Sequence, residues 1–147
     1  MPSATFVHTA PLPTDIETSW AKLQAEETWA GIGPLSSVSD AKHADDGTLQ
    51  SFKWAADLGG KRYPGTARAI EAVAPNRFVL EMDTSEIVGT LTSELEPTGS
   101  TSQVTVTIMM RTKGMLSAMF FPAIKQALAS GFPQQVDDLA ASFVEAT

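Results

Sequence analysis

An arginine, a histidine near the start of the chain, and a scatter of methionines and large aromatics are the residues whose types bear on chemistry. Arg68 shares one strand face with Ile70. A guanidinium held in an apolar pocket would anchor a carboxylate or enolate through its planar fork, while the same position suits a solvent-facing arginine, since Arg is seldom buried. His8 shares a face with Phe6. Histidine is the side chain whose ordinary pKa lies nearest neutrality, so His8 is a candidate general base as well as a candidate structural histidine. Arg68 and His8 are the candidate catalytic residues, and no recognisable catalytic constellation surrounds them. His43 stands beside Asp45 and Asp46 and reads as surface loop.

Other polar groups offer less. Glu81 and Asp83 alternate along a strand and read as its solvated face, whereas carboxylates working as acid and base need dissimilar environments. Tyr63 is the one tyrosine and a candidate donor to a ligand oxygen, but Pro64 beside it marks an edge-strand or bulge position. Gly59-Gly60-Lys61 lacks the spacing and the following Ser or Thr of a phosphate loop. Cysteine is absent and the two histidines show no ligand-type spacing, so neither a metal nor a cofactor is expected.

The apolar set says more. Strand alternation turns Phe52, Trp54 and Ala56 to one face, with Phe78, Leu80 and Met82 on another strand and Val104, Val106, Ile108 and Met110 on a third. The terminal helix adds Met115, Met119 and Phe120. Methionine is unbranched and polarizable, so a cluster of it adapts to irregular apolar ligands. Phe52, Trp54, Met82, Arg68, Met110, Met115, Met119 and Phe120 form the candidate ligand-binding set. Against this stands the plainer reading that such residues fill a core.

These positions depend on the elements that carry them. Ser3 to Ala10 alternates as a half-buried strand. Thr14 and Glu17 form a capping box at the start of a helix striped by Ile16, Trp20 and Leu23, and a second short helical piece covers 26–32. From Leu35 the period becomes two, with strands at 35–43, 49–57, 61–72, 77–84, 87–96 and 103–112. Turn residues separate them at Asp45-Asp46-Gly47, Leu58-Gly59-Gly60, Ala74-Pro75-Asn76 and Pro97-Thr98-Gly99-Ser100. Such short connections favour antiparallel neighbours. Leu116, Phe120, Ala123, Ile124, Ala127 and Leu128, then Phe132, Val136, Leu139, Ala140 and Phe143, mark a last helical face. Pro122 and Pro133 predict a kink or restart within it.

This order resembles the helix-grip fold of the START-like (SRPBCC), birch-pollen-allergen-like superfamily. The local likeness is to the bacterial polyketide cyclase/dehydrase family, carried by Ala69-Ile70-Glu71-Ala72-Val73-Ala74-Pro75-Asn76-Arg77-Phe78-Val79-Leu80, and by Leu95-Glu96-Pro97 with Gln103-Val104-Thr105-Val106-Thr107-Ile108. These motifs are turns and strand patterns, so no catalytic residue carries over. The resemblance implies an α+β fold, a curved antiparallel sheet of about seven strands in the order β-α-α-β6-α wrapped around a long C-terminal helix. It also implies one ligand-binding domain over residues 1–147, with a cavity between sheet and helix for a lipid or polyketide-like molecule.

Three readings follow: a binder or carrier of a small hydrophobic molecule, a cyclase/dehydrase-type enzyme using Arg68 and His8, or an interaction module without ligand. The formal charge of −7 opposes phosphate backbones and anionic membranes, so nucleic acid is not an expected partner. No apolar run approaches the ~20 residues that cross a bilayer, and residues 1–10 carry no basic secretory signal. A cytoplasmic protein is expected, and a homodimer stays open.

Overall fold

Residues 3–29, 35–58, 61–84, 87–113 and 115–143 are described by the structure, a computed structural model. The element order is β1 (Ser3–Leu12), α1 (Ile16–Leu23), α2 (Glu26–Trp29), β2 (Leu35–His43), β3 (Leu49–Leu58), β4 (Lys61–Val73), β5 (Arg77–Thr84), β6 (Ile87–Thr98), β7 (Thr101–Thr112) and α3 (Met115–Ser142). Seven strands form one antiparallel sheet in the order β1-β7-β6-β5-β4-β3-β2. Strands β2 to β7 are a meander, and β1 closes onto β7 in ten consecutive pairs from Ser3–Arg111 to Leu12–Ser102.

The turns form where glycine, asparagine and aspartate stand. Gly47 and Gly99 hold φ of 91° and 76°, the left-handed region that glycine enters without a Cβ penalty. The last hairpin is tighter than its sequence predicts: Thr98 pairs Thr101, which leaves only Gly99-Ser100 in the loop. The Asn76 amide donates to the Val73 carbonyl at 2.8 Å, closing the turn at Ala74-Pro75. Gly59 and Gly60, and residues 30–32 of the predicted second helical piece, lie outside the described residues.

Two local expectations are corrected. The cap of α1 is Asp15, whose carboxylate accepts from the Thr18 amide at 2.7 Å; Thr14 instead bonds the Ser19 hydroxyl at 2.6 Å. A carboxylate at the cap satisfies an orphan N–H and complements the helix dipole, so it displaces the neutral hydroxyl one residue earlier. The second concerns α3: of the kink or restart expected at each proline the restart is absent, and one helix of 28 residues runs through both Pro122 and Pro133. Eleven residues, about three turns, separate the prolines, so both lie on one face. Met119, Gln126, Ser130 and Asp137 share that face, and all six are exposed. The hydrogen bonds that the prolines forgo are therefore on the wet side, where water replaces the missing N–H.

One face of the sheet builds the core. Leu12, Ala10, Val104, Val106, Leu95, Phe78, Leu80 and Phe52 meet Leu23 and Trp29 from the short helices and Phe132, Val136, Leu139, Ala140 and Phe143 from α3. Trp20 meets Phe78 edge to face and Trp29 meets it tilted, with ring centroids 5.9 and 6.4 Å away. Buried polar bonds pin α1 and α2 there: Ser19 to Ser102 at 2.9 Å, the Trp29 indole to the Leu23 carbonyl at 2.9 Å, and the Leu49 amide to the Gln24 side chain at 2.9 Å.

Hydrogen bonds from the Thr18 hydroxyl and amide hold the Asp15 carboxyl below its ordinary pKa. A depressed carboxyl stabilises the fold above its unfolded pKa of about 3.9, and that contribution fades as pH falls through the lower folded value. Asp15→Ala therefore lowers the melting temperature at pH 7, and the gap from wild type narrows below about pH 4 in a pH series of thermal melts.

Candidate ligand site

Along the concave face the strands pass from buried residues to a half-buried stretch, and are buried again at Ala4, Thr84, Met110 and Thr112. On β5, Phe78 and Leu80 are buried and Met82 is half-buried; on β3, Phe52 gives way to Trp54; on β6, Leu95, Ser93 and Leu91 give way to Gly89 and Ile87. On β7 and β1 the half-buried members are Ile108, Phe6 and His8. Solvent reaches these apolar side chains although they face the core side of the sheet, so this end is not packed solid. Beyond it, Ala4, Met110 and Phe121 make a second small cluster that closes the β1–β7 side.

Register sets the relief of this face. Read across the sheet from β1, one row runs Ala4, Met110, Gly89, Met82, Ala67, Phe52, alternating small and large. The next row toward the closed end runs Phe6, Ile108, Leu91, Leu80, Ala69, large until its last member. Small residues remove volume from the floor, and Gly89 admits nothing larger because a Cβ there would strike the Met109 carbonyl. Gly65 has a different partner: its missing Cβ leaves space for the Trp54 indole, whose Cε2 and Cζ2 would stand 2.6 Å from such an atom. Trp54 thus lies against the sheet, and its Nε1 is buried with no hydrogen-bond partner among the described residues.

The candidate residues divide sharply. Phe52 and Met110 are buried on the concave face, and Trp54 and Met82 are half-buried on its open part. Met119 is 72% exposed on the outer side of α3, opposite the buried helix face, and does not join this wall. The side chains of Met115 and Phe120 lie outside the described residues. Arg68 is on the other face of the sheet, its side chain 66% exposed, with Nη2 donating to Glu81 Oε1 at 2.7 Å. Ala67 and Ala69 occupy the inward positions on either side of it, so the guanidinium does not enter the concave side.

His8 faces the concave side but at its β1 edge, where its Nε2 meets Asp137 Oδ1 of α3 at 3.0 Å. Arg68 and His8 are therefore on opposite faces, and a shared acid–base role for them is ruled out by reach. His43 is exposed at the end of β2 and bonds the Gln24 carbonyl at 2.9 Å. Glu81 and Asp83 are on the outer face, paired with Arg68 and Lys113, as their alternation predicts. Tyr63 is half-buried and engaged within the protein. Pro64 is in an interior strand, one residue past the Gly65–Thr84 pair, so the edge expected there is local to that position. Sequence reasoning missed Gly65, Gly89, Ala67 and Phe121, and the in-strand glycines were the available signal, since they mark close approaches.

Two substitutions test this packing. Ala is ordinarily the better strand residue, yet Gly65→Ala drives Trp54 off the sheet and costs about 1–3 kcal/mol by denaturant titration, with altered tryptophan fluorescence. Ser93 is fully buried between Phe78 and Val106 and its hydroxyl has no partner among the described residues. Removing an unpaired buried hydroxyl relieves a desolvation cost, so Ser93→Ala raises stability by about 1 kcal/mol in the same titration.

No protein-family model matches the sequence, and no curated protein matches it. Solved structures do. The fold is similar to that of TTHA0849 from Thermus thermophilus (13% identity, 99% of both chains, TM-score 0.76). It is similar to the Zhui aromatase/cyclase from Streptomyces sp. R1128 (13% identity, 99% of this chain and 98% of that one, TM-score 0.72). A START superfamily protein from Mycobacterium smegmatis aligns at 12% identity over 92% of this chain and 98% of its own, with a TM-score of 0.64. A seven-stranded antiparallel sheet curved around a C-terminal helix, shared with these proteins over nearly the whole chain, gives this molecule a helix-grip α+β fold like theirs.

Proposed function

We propose that the protein binds a small hydrophobic molecule on the open part of its concave face, between β3–β6 and α3. The observation that carries this reading is the half-buried apolar wall of Trp54, Met82 and Ile87 beside the packed core, continued by Ile108 and Phe6 where α3 covers the sheet. A chain that needed only stability would bury these side chains, each worth about 1.5–3 kcal/mol when fully withdrawn from water. An apolar wall with few polar groups is the usual character of a ligand site. The reading assigns binding without turnover, since Arg68 and His8, the pair a cyclase/dehydrase-type mechanism would use, stand on opposite faces of the sheet.

Native mass spectrometry and solvent extraction of the purified protein should show a retained lipid or aromatic compound. In a thermal-shift screen of bicyclic ketones, fatty acids and sterols, a true guest at about 100 times its Kd adds about 2.7 kcal/mol of stability. Met82→Trp, which fills the wall, should abolish that response. A screen without any response, together with an empty extract, removes the proposal.

A further inference from the structure

The two edges of the sheet are built differently. β2 is blunted: its pairing with β3 shifts register three times, Asp40 holds a φ of 53°, and Lys42 lies on it. Such irregularities and charges are how edge strands avoid recruiting another strand. β1 has neither a shift nor a formal charge, and its one proline, Pro11, stands near the end of the strand. It runs ten residues against β7 without a register shift, its sequence carries no Asp, Glu, Lys or Arg, and its outward residues Thr5, Val7 and Thr9 are exposed. Half of its residues direct both N–H and C=O away from β7, and no described residue takes those groups. α3 meets β1 from the concave side, through Phe6–Phe132 and His8–Asp137, and not along this edge.

We propose that β1 pairs with β1 of a second copy, antiparallel about a two-fold axis at Val7, joining the two sheets edge to edge. The occupant is specified by the sequence of the strand. Ala4-Thr5-Phe6-Val7-His8-Thr9-Ala10 reads almost the same in both directions, so an antiparallel copy sets Ala4 against Ala10, Thr5 against Thr9 and Val7 against itself. An interface of this kind is isologous, the self-complementary type that a two-fold dimer requires. Threonine pairs across strands are already present on this face, with Thr9 Oγ1 2.8 Å from Thr105 Oγ1. Val7, 61% exposed on a sheet face, gains an apolar neighbour in its own copy. Charge points the same way: two molecules of net charge −7 repel, and residues 3–14, free of formal charge, are where they approach at least cost.

Light scattering behind size exclusion at about 100 µM should give twice the mass of one chain. Val7→Lys sets two ammonium groups face to face across the axis and should raise the dimer dissociation constant by about tenfold or more, with an unchanged circular dichroism spectrum because the side chain is outward. The chain has no cysteine, which makes a single one a clean reporter. Val7→Cys should cross-link to its own copy under mild oxidation, since residues directly opposite in an antiparallel pair stand at disulfide distance, while Met109→Cys on the neighbouring strand should not. A wild-type monomer at this concentration, a Val7→Lys dimer of undiminished affinity, open-ended aggregates in place of a closed pair, or equal cross-linking of both cysteines would each overturn the proposal.

Discussion

A single helix is too narrow to cover seven strands. Neighbouring strands lie about 4.8 Å apart, so the sheet is roughly 30 Å across before it curls, against about 10 Å for a helix with its side chains. α3 settles this mismatch by lying along β1 and β7, where Phe6 meets Phe132 at 6.2 Å and His8 meets Asp137. Among the described residues, the remaining width is covered at one end, by α1 and α2 with Trp20 and Trp29 on Phe78. Everything proposed for the concave face follows from what that arrangement leaves uncovered.

The concave face is shaped by absent side chains as much as by present ones. Ala4, Gly89 and Ala67 alternate with Met110, Met82 and Phe52 in one row, which lowers the floor at regular intervals. Gly65 lets Trp54 lie flat, so the largest side chain of the wall rests on the sheet. Charge is kept on the opposite face, where Arg68–Glu81, Arg77–Glu94 and Lys113–Asp83 pair across strands in water. Exposed pairs of this kind contribute about 0–1 kcal/mol each, so they set the polarity of that face more than its stability.

Much of this architecture was legible in the residues. The period of two and the turn residues place the strands to within two residues, because side-chain alternation and left-handed glycines are local properties. What alternation does not state is which of two faces is dry. Around Arg68 the larger apolar residue, Ile70, is exposed at the bulge, and the buried positions belong to the small Ala67 and Ala69. Pro122 and Pro133 mark breaks by composition, yet their spacing of three turns puts both on the wet side of α3. Met119 shares that side, so its presence in a hydrophobic stretch does not make it part of the lining. The Asp15 cap, one residue from the predicted Thr14, shows how a carboxylate outcompetes a hydroxyl for the same task.

The closure of β1 onto β7 has a cost in time. Ser3 of the first strand faces Arg111 of the last, so their ladder forms only when all seven strands exist and the chain has turned back on itself. Pairings this distant in sequence slow folding, since the intervening chain must lose its freedom before the contact rewards it. Until that moment both β1 and the open flank of β7 are unpaired, which makes the nascent chain most prone to misassociation in the interval before its last strand arrives.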